Sequence, residues 1–422
     1  MPHPSYYAAT ANSAPDRPAL TGDVEAEICV IGAGYTGLSC ALALAEAGHR
    51  VTVLEAERVG YGASGRNGGQ LVHGLNASLE KIGRLYGHAT QVFVAGLVTE
   101  GGALIRERVA RYGISCDLKP GNIFAAYTPA HMAELSAKKA LWESFGLEGL
   151  ELLGPDEIRR HVGTRVYVGG LLDRTGGHLH PLNLALGEAS AVEGLGGVIH
   201  EGTPAAEIDL SGPRPVIRTP GGRLRAETLV LAGNAYLGRL VPELTSRILP
   251  ASTQMIATAP LDAPEEVLPT DKCVEDVRYI LDYFRLSADG RLLFGGGTVY
   301  GGADPPDIAA KLRPNLERVF PALKGVAIDH AWSGRFALSF SRVPQMGRIG
   351  RSAYFAHGYS GHGVTGAHLF GRILAEAITG DLSRFDSFAK LPVTPFPGGR
   401  TLAVPYSVMG SWWYGLRDRL GL

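Results

Sequence analysis

Gly32, Gly34 and Gly37 stand in the order G-x-G-x-x-G, and Glu55 closes the apolar run that follows. Glycine at the first place allows a tight turn. At the second it lets a pyrophosphate approach the backbone, and at the third it lets a helix pack close to a sheet. Ala33, Tyr35 and Thr36 fill the same turn. The helix after it offers N–H groups and a positive dipole end to phosphates. Glu55 falls where an acid accepts a ribose 2′-hydroxyl, with Ala56 beside it. The whole stretch from Glu27 to Glu55 reads as strand, turn, helix, strand and acid in one unit, which predicts a dinucleotide site.

Two more glycine blocks follow. Gly60 to Gln70 holds five glycines within residues 60–69. Such a segment can lie flat against a bulky ligand, and the plain alternative is a solvent loop. The contacts expected from it are Ala63, Ser64, Arg66, Asn67, Gly68 and Gly69. Farther on, Gly361, Gly363 and Gly366 repeat G-x-G-x-x-G after a strand over Ser352 to Gly358. No second strand follows the helix Ala367 to Ile378, and Asp381 sits in a Gly-Asp turn. The block therefore predicts a helix N-terminus aimed at an electron-rich part of the same ligand, not a second nucleotide site.

The elements that must position these blocks are mixed. Helices are expected over Ala77 to Tyr112, Pro129 to Phe145, Leu182 to Leu195 and Lys311 to Phe320, the last with Pro314 in its first turn or a break there. A strand pair is expected around Pro120-Gly121 within Asp117 to Tyr127. Gly169 to Pro181 reads as strand then turn, and Gly197 to Glu201 and Glu227 to Ala232 as short strands. Asp289-Gly290 signals a hairpin joining Val277–Leu286 to Arg291–Gly295. Its alternation would put Tyr279, Leu281, Tyr283 and Arg285 on one face. The N-terminus reads as an extended arm, because Pro15 and Pro18 oppose a helix. The tail, Tyr406 to Leu422, reads as a surface helix docking on its own protein or making a subunit or peripheral membrane contact.

With 422 residues, 45% of them apolar, the chain can bury a full core in two domains or one interleaved fold. A net charge of −1 gives no electrostatic case for nucleic acid. No apolar run is long enough for a transmembrane segment. Cys29, Cys40, Cys116 and Cys273 are scattered without a C-x-x-C. Reduced thiols and a cytoplasmic address are expected. The sequence sets no oligomeric state.

Taken in order, GAGYTG, GYGASGRNGG and HGYSGHGV resemble the D-amino acid oxidase-like flavoproteins over nearly the whole chain. Within that group GASGRNGGQ, DYFRLSADGRLLFGG and WYGLRDRL resemble the gamma-glutamylputrescine oxidoreductases. The resemblance implies FAD and an α/β fold. A Rossmann-type FAD-binding domain would be interleaved with an α+β substrate domain on a mixed, largely antiparallel sheet. The cofactor domain would use 1–85, 165–240 and 330–395, the substrate domain 86–164 and 241–329, and 396–422 would form the tail helix. It further implies the adenine beside Thr203 to Ala205, the dinucleotide beside Gly233, and the isoalloxazine over Gly358 to Val364.

The implied activity is oxidation of an amine C–N bond, with gamma-glutamylputrescine or a related gamma-glutamylated polyamine as substrate. The imine would hydrolyse to aldehyde and ammonia, with O2 or a carrier as acceptor and H2O2 formed if O2 serves. The alternatives are N-demethylation of a sarcosine- or dimethylglycine-type amino acid, or a flavin-binding subunit without turnover. Tyr283 is the expected hairpin residue facing substrate. His362 either packs beside the flavin or serves as a base. Arg66 either approaches the flavin or a substrate carboxylate, or stabilises its loop. Compared with monomeric sarcosine oxidases, Thr365 stands in place of a substrate-binding lysine. Leu338 stands near the place of a flavin-linking cysteine, and no lysine falls within Leu292 to Thr298. Non-covalent FAD is therefore expected.

Overall fold

A computed structural model of the chain describes residues 5–397 and 399–420, and the side chains of all of these except 399–401 and 414–420. Two sheets organise it. The first is eight-stranded, and its main path runs Gln345–Ile349, Ala353–His357, Gly222–Leu231, Gly22–Ile31, Val51–Leu54, Val198–His200. From Ala353–His357 onward every pairing on this path is parallel. Parallel strands are covered on both faces, which is why Ile28–Ile31 and Leu229–Leu231 read as unbroken apolar runs. Strand order reverses at the pairing of Gly22–Ile31 with Gly222–Leu231. The crevice beyond the carboxyl ends of those strands is where such sheets bind ligands.

The helix Tyr35–Glu46 is buried along all but its last residue. It is apolar all round, as a helix enclosed on every side must be. Its fully buried Leu38, Leu42 and Leu44 each contribute about 1.5–3 kcal/mol. The helix Gly363–Thr379 crosses it so closely that a Cβ on Gly371 would meet Ser39 Cβ at 2.7 Å.

The second sheet is nine-stranded. Cys273–Asp276 runs parallel to Lys119–Ala126, and the other pairings are antiparallel, giving the expected mixed, largely antiparallel sheet. Two of its strands, Gln70–Leu71 and Gly169–His178, fall inside stretches expected for the cofactor domain, and Ile328–Ser339 enters one from residue 330 onward. All four cysteines are buried free thiols. No helix among the described residues is long and apolar enough to cross a membrane.

Several elements differ from expectation. The helix expected over Ala77 to Tyr112 is three: Leu79–Tyr86, His88–Ala95 and Glu100–Tyr112. Gly87, at φ +87°, turns the chain between the first two. Pro120-Gly121 is not a turn between two strands but a bulge within Lys119–Ala126, with Gly121 at φ +94°. The helix Ile308–Val319 starts earlier than expected because Asp307 caps it, and Pro314 lies in its interior. The helix expected from Ala367 begins at Gly363. The N-terminal arm opens with a one-turn helix, Tyr6–Ala9, before its extended part.

The expected strand Val277–Leu286 is also broken. Asp276 and Asp282 end and begin separate strands, and the Arg278 guanidinium bridges them at 2.6 and 2.5 Å. Tyr279 and Leu281 therefore lie in a turn and not on the strand face of Tyr283 and Arg285. In the tail, Gly399–Leu420 is helical; Ala403 is buried, whereas Trp412 and Trp413 are 76% and 61% exposed. The side chains of Tyr414, Arg417, Asp418 and Arg419 lie outside the described residues.

Candidate active site

The first glycine block is set by close contacts. Gly32 adopts φ +103°, and a Cβ there would sit 3.1 Å from the Ala232 carbonyl oxygen. A Cβ on Gly37 would meet the Gly32 carbonyl oxygen at 1.9 Å. Gly34 precedes the helix with no side-chain cap, and the Tyr35 N–H donates to Ser64 Oγ at 2.9 Å. Glu55 Oε2 accepts from the Ala33 N–H at 2.7 Å, and Oε1 accepts from the Glu57 N–H at 3.0 Å. Burial raises the Glu55 pKa, and these two hydrogen bonds oppose the rise.

A cavity of about 1060 Å³ opens from this turn. Gly32, Gly34, Tyr35, Thr36, Glu55 and Ala56 line it. So do Ala63, Ser64, Arg66, Asn67 and Gly68 of the second block. Ala205 and Gly233 line it from between the blocks, and Gly361, His362, Gly363 and Val364 from the third. Four residues expected to touch the ligand support the wall instead. Ala33 is fully buried with its N–H tied to Glu55. Gly37 holds helix to turn. Gly69 lies under the Leu179 carbonyl, where a Cβ would come within 2.2 Å. The Gly358 N–H donates to Asn234 Oδ1 at 3.0 Å.

The third block is fastened to the first. The Thr36 and Tyr359 hydroxyls share a hydrogen bond of 2.8 Å, and Ser39 Oγ donates to the His368 carbonyl at 2.7 Å. Ser360 takes a left-handed φ of +57°, and its Oγ accepts from the Ser339 N–H at 3.1 Å. His362 then precedes the helix without capping it by its side chain. Two helix N-termini, from distant parts of the sequence, thus face one cavity.

Of the expected substrate-side residues, Tyr283 and His362 line the cavity and Arg285 does not. The Tyr283 ring packs on Gly68, and its hydroxyl lies 3.2 Å from Thr253 Oγ1. His362 Nδ1 lies 3.4 Å from Asn76 Nδ2. Burial first, and the Lys138 cation second, push the imidazole down to about 4. It is neutral at pH 7. Arg66 lines the cavity while donating from Nε to the Tyr61 carbonyl and from Nη1 to the Ser333 carbonyl. Its loop-stabilising contact is thus present, and the residue also lines the cavity.

Sequence reasoning missed Asn234, Glu275 and Arg278, which also line the cavity. Asn234 had a signal, since it follows Gly233 at a strand end. Arg278 had none, because the strand break that aims it was not foreseen. Glu275 had none, because it is placed by register with Phe124 and Tyr283 on a strand that precedes the expected one.

The site fits FAD. A turn that excludes any Cβ at Gly37, glycine-rich walls from three stretches, and two helix N-termini suit one extended dinucleotide. All four cysteines lie off the cavity wall.

Comparison with known proteins agrees. Residues 27–377 match the family described as FAD dependent oxidoreductase. The chain is 50% identical over 421 residues to gamma-glutamylputrescine oxidoreductase of Escherichia coli (strain K12), covering 99% of each. It is 38% identical to "Probable oxidoreductase OrdL" of Haemophilus influenzae, over 98% of this chain and 97% of that one. Among solved structures it resembles L-proline dehydrogenase from P. horikoshii, with TM-score 0.71, 23% identity, and coverage of 93% of this chain and 99% of that one. Glycine oxidase from Geobacillus kaustophilus gives TM-score 0.71 at 22% identity, over 86% and 98%. These two likenesses concern the fold.

Proposed function

Because the chain belongs to the FAD-dependent oxidoreductase family, we propose that it oxidises the terminal C–N bond of gamma-glutamylputrescine or a related gamma-glutamylated polyamine. The imine so formed is hydrolysed by water to aldehyde and ammonia. The observation that carries this reading is the 50% identity to the E. coli enzyme across 99% of both chains.

Bound FAD supplies a two-electron acceptor for the carbon next to the amine nitrogen. The chain's own groups do the rest. The turn Gly32 to Gly37 and the helix start at Tyr35 would hold the pyrophosphate, and Glu55 the adenosine ribose. The helix start at Gly363, with the N–H groups from Gly361 to Val364, would lend positive potential to the redox end. Tyr283 and His362 would bound the substrate space. Polar and aromatic groups on that wall support turnover over a purely structural flavin subunit.

N-demethylation of a small amino acid has less behind it. The Thr365 hydroxyl, where sarcosine oxidases have a lysine, donates to the Val72 carbonyl at 2.7 Å and offers no cation to a carboxylate. Non-covalent FAD is supported by the absence of cysteine from the cavity wall, and acid precipitation should release the yellow chromophore to the supernatant. The four free thiols support a cytoplasmic address.

Anaerobic reduction against an amine panel tests the reading. Gamma-glutamylputrescine should bleach the flavin band faster than sarcosine or dimethylglycine, and admission of air then reads whether O2 reoxidises it. Bleaching by sarcosine alone would overturn the substrate assignment.

A further inference from the structure

Among the described residues three carboxylates line the cavity: Glu55, Glu57 and Glu275. Glu55 and Glu57 belong to the dinucleotide turn, where Glu55 holds the N–H groups of Ala33 and Glu57. Glu275 stands apart from them, on the strand Cys273–Asp276. It is in register with Tyr283 on one side and Phe124 on the other, so the three side chains share a face. Its carboxylate has no hydrogen-bond partner among the described residues; the charges acting on it are Lys138 and Asp276.

The Lys138 cation acts on it through space without reaching ion-pair distance. Lys138 Nζ lies 3.5 Å from the Phe124 ring centroid and 4.7 Å from that of Trp142, and no ion pair joins it to Glu275. Asp276, next in the chain, is held by Arg278. Arg278, also on the cavity wall, is held by Asp276 and Asp282. His362 and Tyr283 are neutral at pH 7, the first held down and the second pushed up by burial. An anion beside an aromatic ring, facing a cavity with no ion-pair or hydrogen-bond contact among the described residues, is the environment a compact cation satisfies.

On the reading that this cavity oxidises an amine, we propose that Glu275 is the ammonium-binding residue: it anchors the substrate's cationic nitrogen and takes one of its protons. In that step an N–H bond breaks and a carboxyl O–H bond forms. The electron pair stays on nitrogen, and nothing is oxidised or reduced. The neutral amine is then ready for oxidation at carbon. Burial suits the residue to this task, because it pushes the carboxyl up from 4.5 to about 7 despite the opposing Lys138 cation. That narrows the gap to an alkyl ammonium at about 10.4.

The test compares FAD-loaded wild type with Glu275→Gln and Glu275→Asp. Butyltrimethylammonium can neither lose a proton nor be oxidised, so titrating it against the flavin absorption band reads anchoring alone. Its Kd should weaken at least ~10-fold in Glu275→Gln. In anaerobic reduction by gamma-glutamylputrescine, the wild-type second-order rate should fall as pH drops below about 7, as the carboxylate takes up a proton. Glu275→Gln should lose that acid limb and about a hundredfold or more in rate. Glu275→Asp should keep the limb at an intermediate rate. Equal Kd values with the limb retained in Glu275→Gln would overturn the proposal. If no amine reduces wild type, the proposed function fails, and the quaternary ammonium titration still decides the cation site.

Discussion

Arg285 Nε donates to the carbonyl of Gly68 at 2.8 Å, joining the hairpin of the second sheet to the glycine loop that lines the cofactor cavity. The same guanidinium donates from Nη1 to the Leu286 carbonyl at 2.9 Å and from Nη2 to the Tyr7 hydroxyl at 3.2 Å. Arg285 is 2% exposed, and its planar fork reaches three acceptors at once. A lysine could not keep all three. Arg285→Lys should weaken FAD binding about 10- to 100-fold, the equivalent of losing one charge-assisted hydrogen bond. Flavin fluorescence quenching on titration with FAD measures it. An unchanged Kd would mean that the loop holds its shape without this tie.

Gly37 admits no side chain, because its Cβ would fall 1.9 Å from a backbone oxygen of its own turn. Backbone cannot swing aside as a flexible side chain can. Gly37→Ala should purify with little flavin and lose about 3 kcal/mol or more in urea denaturation. The visible absorption ratio of the purified variant gives the first number.

Glu188 is fully buried between Arg108, 3.0 Å away, and His368, 3.2 Å away on the helix whose start faces the cavity. Burial pushes its carboxyl up, but His368 and Arg108 more than reverse this and leave it below the ordinary glutamate value of 4.5. A depressed carboxyl stabilises the fold above the unfolded value, and that contribution is lost as pH falls through the folded one. Glu188→Gln should therefore cost about 3–5 kcal/mol at pH 7 by leaving buried Arg108 without its anion. The gap to wild type in urea melts should be full at pH 7 and narrow below pH 4.5. A gap independent of pH would show that the carboxylate charge is not what matters.

The cofactor end of the molecule was legible because backbone geometry writes itself into glycine. Gly32, Gly34 and Gly361 are where the chain must turn or come close, and spacing alone marks them. The Asp289-Gly290 turn was legible for the same reason. The substrate end was not. Which side of the hairpin Tyr283 and Arg285 face was readable from alternation, yet the turn holding Tyr279 and Leu281 depends on Arg278 bridging Asp276 and Asp282, and no local pattern announces that. Glu275 sits in a short alternating run and acquires its meaning only when Phe124 and Tyr283 arrive from elsewhere. Gly37 and Gly69 show the converse: their glycine is required by neighbouring protein, and that of Gly358 by its own φ of +81°.

Tyr7 is fully buried, edge-on to Trp332 at 5.3 Å, with its hydroxyl under Arg285. During synthesis Tyr7 leaves the ribosome long before either partner exists. The arm must wait, unhoused, until Trp332 has emerged, so the loop that Arg285 steadies reaches its final stiffness only after that point in translation. An apoprotein caught earlier would offer FAD a formed glycine turn and an unfinished wall.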